Sequence, residues 1–98
     1  MRPETCAAAA KNLRLLITGS SDPEPGVVDG VDEALGKCRG LSERTATCVA
    51  KAADRRQLID CRGITKVLAA MKDAKKSNTK EARDEVRKIY DGAKAYYR

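Results

Sequence analysis

The sequence has no histidine, no tryptophan and no phenylalanine, and its aromatic residues are three tyrosines. Histidine is the commonest general base and metal ligand in proteins, so its absence excludes most hydrolytic and redox mechanisms. The sequence also has no run of about 18 apolar residues that could cross a bilayer, and residues 1–6 lack the apolar stretch of a signal peptide. We therefore expect a soluble chain that is not an enzyme and that has no metal, cofactor or transmembrane segment.

Large apolar side chains are also scarce, which limits the core that the chain can build. Of the 98 residues, 42% are apolar, which is enough for one small domain but not for two independent cores. Leucine, valine and isoleucine must supply most of that core, because many of the apolar residues are alanine. Against an entropy loss of about 1.5 kcal/mol per ordered residue, such a core usually needs a covalent link, a metal or a partner.

Apolar residues recur at steps of three and four along the chain, which is the spacing of amphipathic helices. The first such segment begins at Pro3 and ends at Gly19. A loop rich in turn-forming residues follows over residues 20–26. The same spacing then resumes at Val27 and continues to Cys38, so we predict that a second helix folds back on the first as a hairpin.

Capping residues mark further helices in the rest of the chain. Ser42 and Asp54 can each cap a short helix. A fifth helix follows Gly63, and the pair Asn78–Thr79 can cap a sixth. The polar residues 75–79 are either a break before that sixth helix or a turn within one long helix. Since no alternating apolar pattern typical of a strand is present, the sequence predicts an all-α fold, a small bundle of four to six short helices.

Four cysteines, Cys6, Cys38, Cys48 and Cys61, are the candidates for the covalent link. No C-x-x-C pair is present, so neither a thioredoxin-like redox motif nor the usual zinc knuckle is indicated. Cys6 and Cys38 each lie about twelve residues from the first loop, which brings them level in an antiparallel hairpin. Cys48 and Cys61 flank the turn at residues 53–54 at distances that a disulfide can bridge.

The preferred disulfide pairing is therefore Cys6–Cys38 and Cys48–Cys61, and the crossed pairing of Cys6 with Cys48 and Cys38 with Cys61 stays open. Two disulfides within the first 61 residues indicate an oxidising compartment, so we expect a periplasmic or secreted protein. The alternative is that all four cysteines are small buried side chains in a cytosolic bundle.

The net positive charge of the chain comes from its C-terminal part. Residues 1–61 carry nine basic and nine acidic side chains, whereas residues 62–98 carry eleven basic and five acidic ones, which accounts for the net charge of +6. All four cysteines lie in the first of these segments. We therefore predict a cysteine-bearing helical module over residues 1–61 and a basic amphipathic helical segment over residues 62–98, which packs on the module or on a partner.

The last predicted helix carries an apolar stripe that needs cover. The residues of this apolar stripe are Ala82, Val86, Ile89, Ala93 and Tyr96. Either the cysteine-bearing module or a partner helix can cover it, and we expect a protein partner or a second copy of the chain to bind there. Interaction with another protein is therefore the leading functional prediction.

An alternative function follows from the lysines near the start of the same helix, which could bind nucleic acid or an acidic membrane surface. The four lysines are Lys72, Lys75, Lys76 and Lys80, and Arg83, Arg87 and Lys88 lie beyond them. Acidic residues argue against this function, because Asp84 and Asp91 lie three and four residues from Arg87, which is typical of a solvated helix face with its own ion pairs.

Two parts of the sequence resemble known families. Residues 64–77, 79–83 and 86–97 resemble the stem-helix region of bacterial type IV pilin-like proteins, in which a basic, serine-rich turn and a Glu-Ala pair precede an aromatic-ended helix. Residues 1–61, with T-C-V-A-K-A-A-D at 47–54 and L-I-D-C at 58–61, are similar to small cysteine-stapled helical proteins secreted by Gram-negative bacteria. These resemblances imply a non-catalytic extracytoplasmic structural or interaction protein, in a pilus-like or envelope assembly.

Overall fold

The protein forms a bundle of six helices in a computed structural model that describes residues 3–35, 41–72 and 78–98. The helices are α1 (Pro3–Thr18), α2 (Gly30–Leu35), α3 (Glu43–Lys51), α4 (Arg55–Ile59), α5 (Ile64–Lys72) and α6 (Lys80–Tyr96). Across these ranges the extended structure is limited to one isolated bridge, between Val28 and Asn78. The predicted all-α fold is confirmed.

Three helices begin at the polar residues that the sequence marks as caps. The side chains of Ser42, Asp54 and Thr79 accept hydrogen bonds from backbone amides three residues later, at 3.1, 2.8 and 3.1 Å. Each bond satisfies an amide of the first helical turn, which has no partner within its own helix. Thr79 therefore begins α6, whereas residues 75–77, the rest of the predicted break or turn, lie outside the described residues.

The second helix begins later than its apolar spacing predicts, so the prediction that it starts at Val27 is wrong. The carbonyl of Val27 accepts a hydrogen bond from the amide of Thr79 at 2.9 Å. The side-chain oxygen of Asn78 accepts a hydrogen bond from the amide of Gly30 at 3.0 Å. These contacts with residues far along the same chain hold residues 27–29 out of the helix, so α2 begins at Gly30.

The core is one cluster of buried apolar side chains to which all six helices contribute. Helix α1 packs on α3, and α5 packs on both α2 and α6. Residues 62–98 therefore pack directly on residues 1–61. Among the largest fully buried side chains are Leu13, Leu35, Leu58, Ile64 and Leu68.

Two polar side chains link the helices of the first half by binding the free carbonyls at helix ends. Asn12 on α1 donates from Nδ2 to the carbonyls of Val49 and Ala52 at 2.7 and 2.8 Å, at the end of α3. Arg55 on α4 donates to the carbonyls of Leu16 and Ile17 at 2.9 and 3.3 Å, at the end of α1. These bonds satisfy acceptors that a helix leaves free at its C-terminus.

Candidate functional site

The disulfide between Cys48 and Cys61 joins α3 to the segment after α4, because Cys61 lies two residues beyond the end of α4. The two Cα atoms are 5.7 Å apart, within the usual range for a disulfide. The predicted pairing of Cys48 with Cys61 is confirmed, and the crossed pairing is wrong because it needs both of these cysteines elsewhere. The predicted partner of Cys6, Cys38, lies outside the described residues, so the Cys6–Cys38 bridge stays a prediction.

Four of the five residues in the apolar stripe of α6 are covered by the chain itself. Ala82, Val86, Ile89 and Ala93 are at most 4% exposed and belong to the central core. Helices α5, α4 and α1 pack against α6. The prediction that these four residues bind a partner is therefore wrong for the folded chain, because the cysteine-bearing module and α5 already supply the cover. Tyr96 differs from the other four, since 62% of its surface is exposed.

The end of α6 is attached to the end of α4 by its two tyrosines. The hydroxyl of Tyr97 donates to the carbonyl of Ile59 at 2.6 Å, and the rings of Tyr96 and Tyr97 meet edge to face with centroids 4.8 Å apart. A hydrogen bond with the Asp60 carboxylate raises the pKa of Tyr96. Burial, followed by the charge of Asp60, raises the pKa of Tyr97. This arrangement fixes the helix end and occupies the Tyr97 hydroxyl in a structural contact.

A groove with mostly basic walls lies between the end of α5 and the first half of α6. Its volume is about 450 Å³. We call it the basic groove and define it by the described residues that line it, which are Met71, Lys72, Asn78, Lys80, Arg83, Asp84, Val86 and Arg87. Four of these side chains are cationic and one is anionic. The sequence-predicted residues Lys72 and Lys80 are brought together here, whereas Lys75 and Lys76 lie outside the described residues.

The ion pairs of α6 differ from those that the spacing of its charges predicts. Glu85 contacts Lys88 at 3.2 Å and Arg55 at 3.6 Å. The hydrogen bond from Lys88 and the charge of Arg55 outweigh desolvation and lower the pKa of Glu85. Among the described residues, no acidic side chain forms an ion pair with Arg83 or Arg87. The groove arginines therefore keep their charge available to a ligand.

Neighbouring contacts hold both walls of the basic groove in place. Asn78 is fixed by its bridge to Val28 and by its bond to the Gly30 amide. Thr79 caps α6 and so sets the position of Lys80. On the opposite wall, the Lys72 ammonium lies 5.3 Å from the centre of the Tyr90 ring, within cation–π distance. The groove is therefore formed by residues of α5 and α6 and by Asn78, and several of these residues contact the rest of the fold.

The described residues contain no group of three or more side chains that could hold a metal ion, and none of the six helices is both long and apolar enough to cross a membrane. No protein-family model, curated protein or solved structure matches the chain. The resemblances of residues 64–98 to pilin-like stem helices, and of residues 1–61 to cysteine-stapled secreted proteins, therefore stay predictions.

Proposed function

We propose that this protein is a non-catalytic interaction protein of an extracytoplasmic compartment, and that it meets its partner through the basic outer face of α6. The observation that carries this proposal is the orientation of α6. The helix buries four residues of its apolar stripe in the core. Its exposed side chains have an excess of positive charge, with five basic residues against three acidic ones: Lys80, Arg83, Arg87, Lys88 and Lys94 against Glu81, Asp84 and Asp91. A charged face of this kind favours an acidic partner.

The disulfide supports the extracytoplasmic location in this proposal. Cys48 and Cys61 are bonded, and such links persist in the periplasm and outside the cell, where thiols are not kept reduced. The pilin-like resemblance adds a pilus-like or envelope assembly as the setting. A protein partner or a second copy would then contact the polar face of α6 and the exposed Tyr96, and not the apolar stripe.

Thiol counting tests the compartment. Protein exported to the periplasm is denatured without reductant and titrated with a thiol reagent. We expect no reactive thiol, because the Cys48–Cys61 bond and the predicted Cys6–Cys38 bond occupy all four cysteines. Four reactive thiols in the exported protein would contradict the proposal.

Light scattering and crosslinking test the interaction. Over about a hundred-fold range of protein concentration, a change in mass would identify a second copy as the partner. A constant monomer mass, together with crosslinks from Lys80 or Lys94 to a separate acidic envelope protein, would identify a different partner. A monomer that forms no crosslink through α6 in its native envelope contradicts the proposal.

A second candidate function, polyanion binding, is favoured by the basic groove. Lys72 and Lys80 line one groove together with Arg83 and Arg87, and the single acid among them is Asp84. Binding to anionic polymers is then expected to weaken steeply between about 50 mM and 200 mM salt, because bound counterions are released. Absence of binding even at the lower salt concentration would remove this candidate.

A further inference from the structure

We propose that the basic groove binds consecutive phosphodiester groups of a linear polymer, the chemistry of a single nucleic-acid strand. The proposal rests on the second candidate function, polyanion binding, and it specifies the site and the ligand class. It is carried by three features of the described residues, namely the arrangement of the cations, their lack of acidic partners, and the burial of the apolar groove floor.

The cations lie on both walls of the groove. Arg83 and Arg87 are four residues apart on α6, which separates their side-chain origins by one helical turn, about 5–6 Å. Lys80 lies close to one turn before Arg83 on the same side, and Lys72 faces them from α5. A polymer that runs along α6 can therefore place one anionic group after another against successive cations.

The guanidinium groups suit a phosphate ligand. An arginine offers several N–H donors in a planar fork, which can bind two oxygens of one phosphate at the same time. In the described part of the chain, neither Asp84 nor Asp91 forms an ion pair with these guanidinium groups. Arg83 and Arg87 are also exposed, so a strand can reach them without movement of a helix.

The floor of the groove favours such a strand over a membrane, and over a protein partner that docks through an apolar core. Met71 and Val86 line the groove but are only 1% and 3% exposed. The exposed large apolar side chains of the described residues are Leu15, Tyr96 and Tyr97, and none of them lines the groove. Protein interfaces have an apolar core, and peripheral helices insert apolar side chains into lipid. A phosphodiester backbone needs neither, because counterion release drives its binding.

Fluorescence anisotropy with a labelled oligothymidine of about 20 nucleotides tests the site. The full chain is compared with Arg83→Gln/Arg87→Gln and with the matched control Arg44→Gln/Arg56→Gln. Both double variants remove two exposed helical arginines and the same net charge. We expect the groove variant to lose about tenfold or more in affinity. The slope of log affinity against log salt should also fall by about 1.4, since each lost single-strand contact contributes about 0.7.

The control should keep most of its affinity, and circular dichroism should show both variants folded. Equal losses in the two variants would overturn the groove as the site, while polyanion binding itself would stand. Polyglutamate or anionic vesicles that bind as tightly as the oligothymidine would overturn the phosphodiester assignment. If the unmodified chain binds none of the three probes at about 50 mM salt, the second candidate function fails as well.

Discussion

Arg55 contributes to stability more than its position on a five-residue helix indicates. Its guanidinium binds two carbonyls at the end of α1 and lies 3.6 Å from Glu85 on α6. Arg55→Ala is expected to lower the free energy of unfolding by about 1–2 kcal/mol, because hydrogen bonds from a charged donor are lost and the side chain is partly exposed. Urea denaturation measures the change.

The neighbouring residue provides the control for Arg55. Arg56 is exposed and carries the same charge, so Arg56→Ala should change the free energy of unfolding by less than about 0.5 kcal/mol. Similar effects of the two substitutions would show that Arg55 acts through its charge alone and not through the carbonyls of α1.

Gly63 occupies a backbone conformation that other residues avoid. Its φ is +88°, and a Cβ at this position would lie 3.2 Å from the hydroxyl of Thr45. Thr45 cannot move away easily, because that hydroxyl donates to the carbonyl of Arg62 at 2.8 Å. Gly63→Ala is therefore expected to cost about 2–3 kcal/mol of unfolding free energy, from backbone strain and crowding together.

A substitution at Gly19 distinguishes backbone strain from crowding, the two contributions to the stability cost of Gly63→Ala. Its φ is +83°, but a Cβ there would meet no atom within 4 Å. Gly19→Ala should therefore cost only the backbone strain, about 1–2 kcal/mol. Thermal unfolding of both variants is the measurement, and an equal cost at the two positions would contradict the role of Thr45.

Local polar contacts could be predicted at the level of single residues, whereas distant ones could not. Ser42, Asp54 and Thr79 bind amides three residues away, so the sequence pattern contains both partners. Asn12 and Arg55 bind carbonyls that lie 37 to 40 residues away. Nothing in the local sequence identifies those carbonyls, because only tertiary packing brings the helix ends together.

At the scale of the helices, the buried side of α6 determines what a substitution there does. Ile89 is 3% exposed and lies in the core. Ile89→Ala should lower the free energy of unfolding of the isolated chain by about 2–5 kcal/mol, because it removes apolar contacts and leaves a cavity. A residue reserved for a partner would show no such effect in the isolated chain.

Leu15 on α1 is the matched control, since it is 43% exposed. Leu15→Ala should change the free energy of unfolding by no more than about 0.5 kcal/mol. Urea denaturation of both variants decides the question, and a stability of Ile89→Ala close to that of the unmodified chain would restore the apolar stripe as a partner surface.

The attachment of α6 to α4 should weaken at alkaline pH. The pKa values of Tyr96 and Tyr97 are raised in the folded chain, so folding favours their protonated forms. Their contribution to stability is complete below the unfolded pKa of about 10 and is lost as pH rises through the folded values. Tyr96→Phe/Tyr97→Phe should therefore show a flatter decline in unfolding free energy above about pH 10, and parallel declines would contradict this assignment.

The helix boundaries show where the spacing of apolar residues predicts the structure correctly and where it does not. The spacing of apolar residues predicts α1 and α6 well, because both helices bury one continuous side. The same spacing continues through residues 27–29, where the chain is not helical. Val27 and Asn78 form bonds across the fold there, and an amphipathic pattern contains no information about such a competing partner.

For the molecule as a whole, the disulfide compensates for a small core. It links residues 13 positions apart, and closing a loop of that size in the unfolded chain contributes about 3 kcal/mol. Cys48→Ala/Cys61→Ala should lower the free energy of unfolding by about that amount, measured in urea without reductant. A variant as stable as the oxidised parent would show that the bundle does not depend on the Cys48–Cys61 bond.

The candidate site was predicted only in part, because the sequence shows how many charged side chains each segment has but not which of them form ion pairs. The basic excess of residues 62–98 indicates Lys72 and Lys80, which do line the basic groove. Spacing along α6 also predicts that Asp84 and Asp91 neutralise Arg87, but the ion pairs form at Glu85. Glu85 pairs with Lys88, three residues later on the same helix, and also with Arg55, which tertiary packing brings from α4.

Asn78 and Thr79 make this fold sensitive to changes in chain length. Asn78 binds the first amide of α2, 48 residues away, and Thr79 starts α6. One residue inserted between them would leave every helix sequence intact, yet only one of the two helices could keep its cap. Homologous chains that preserve this fold should therefore carry their insertions and deletions elsewhere.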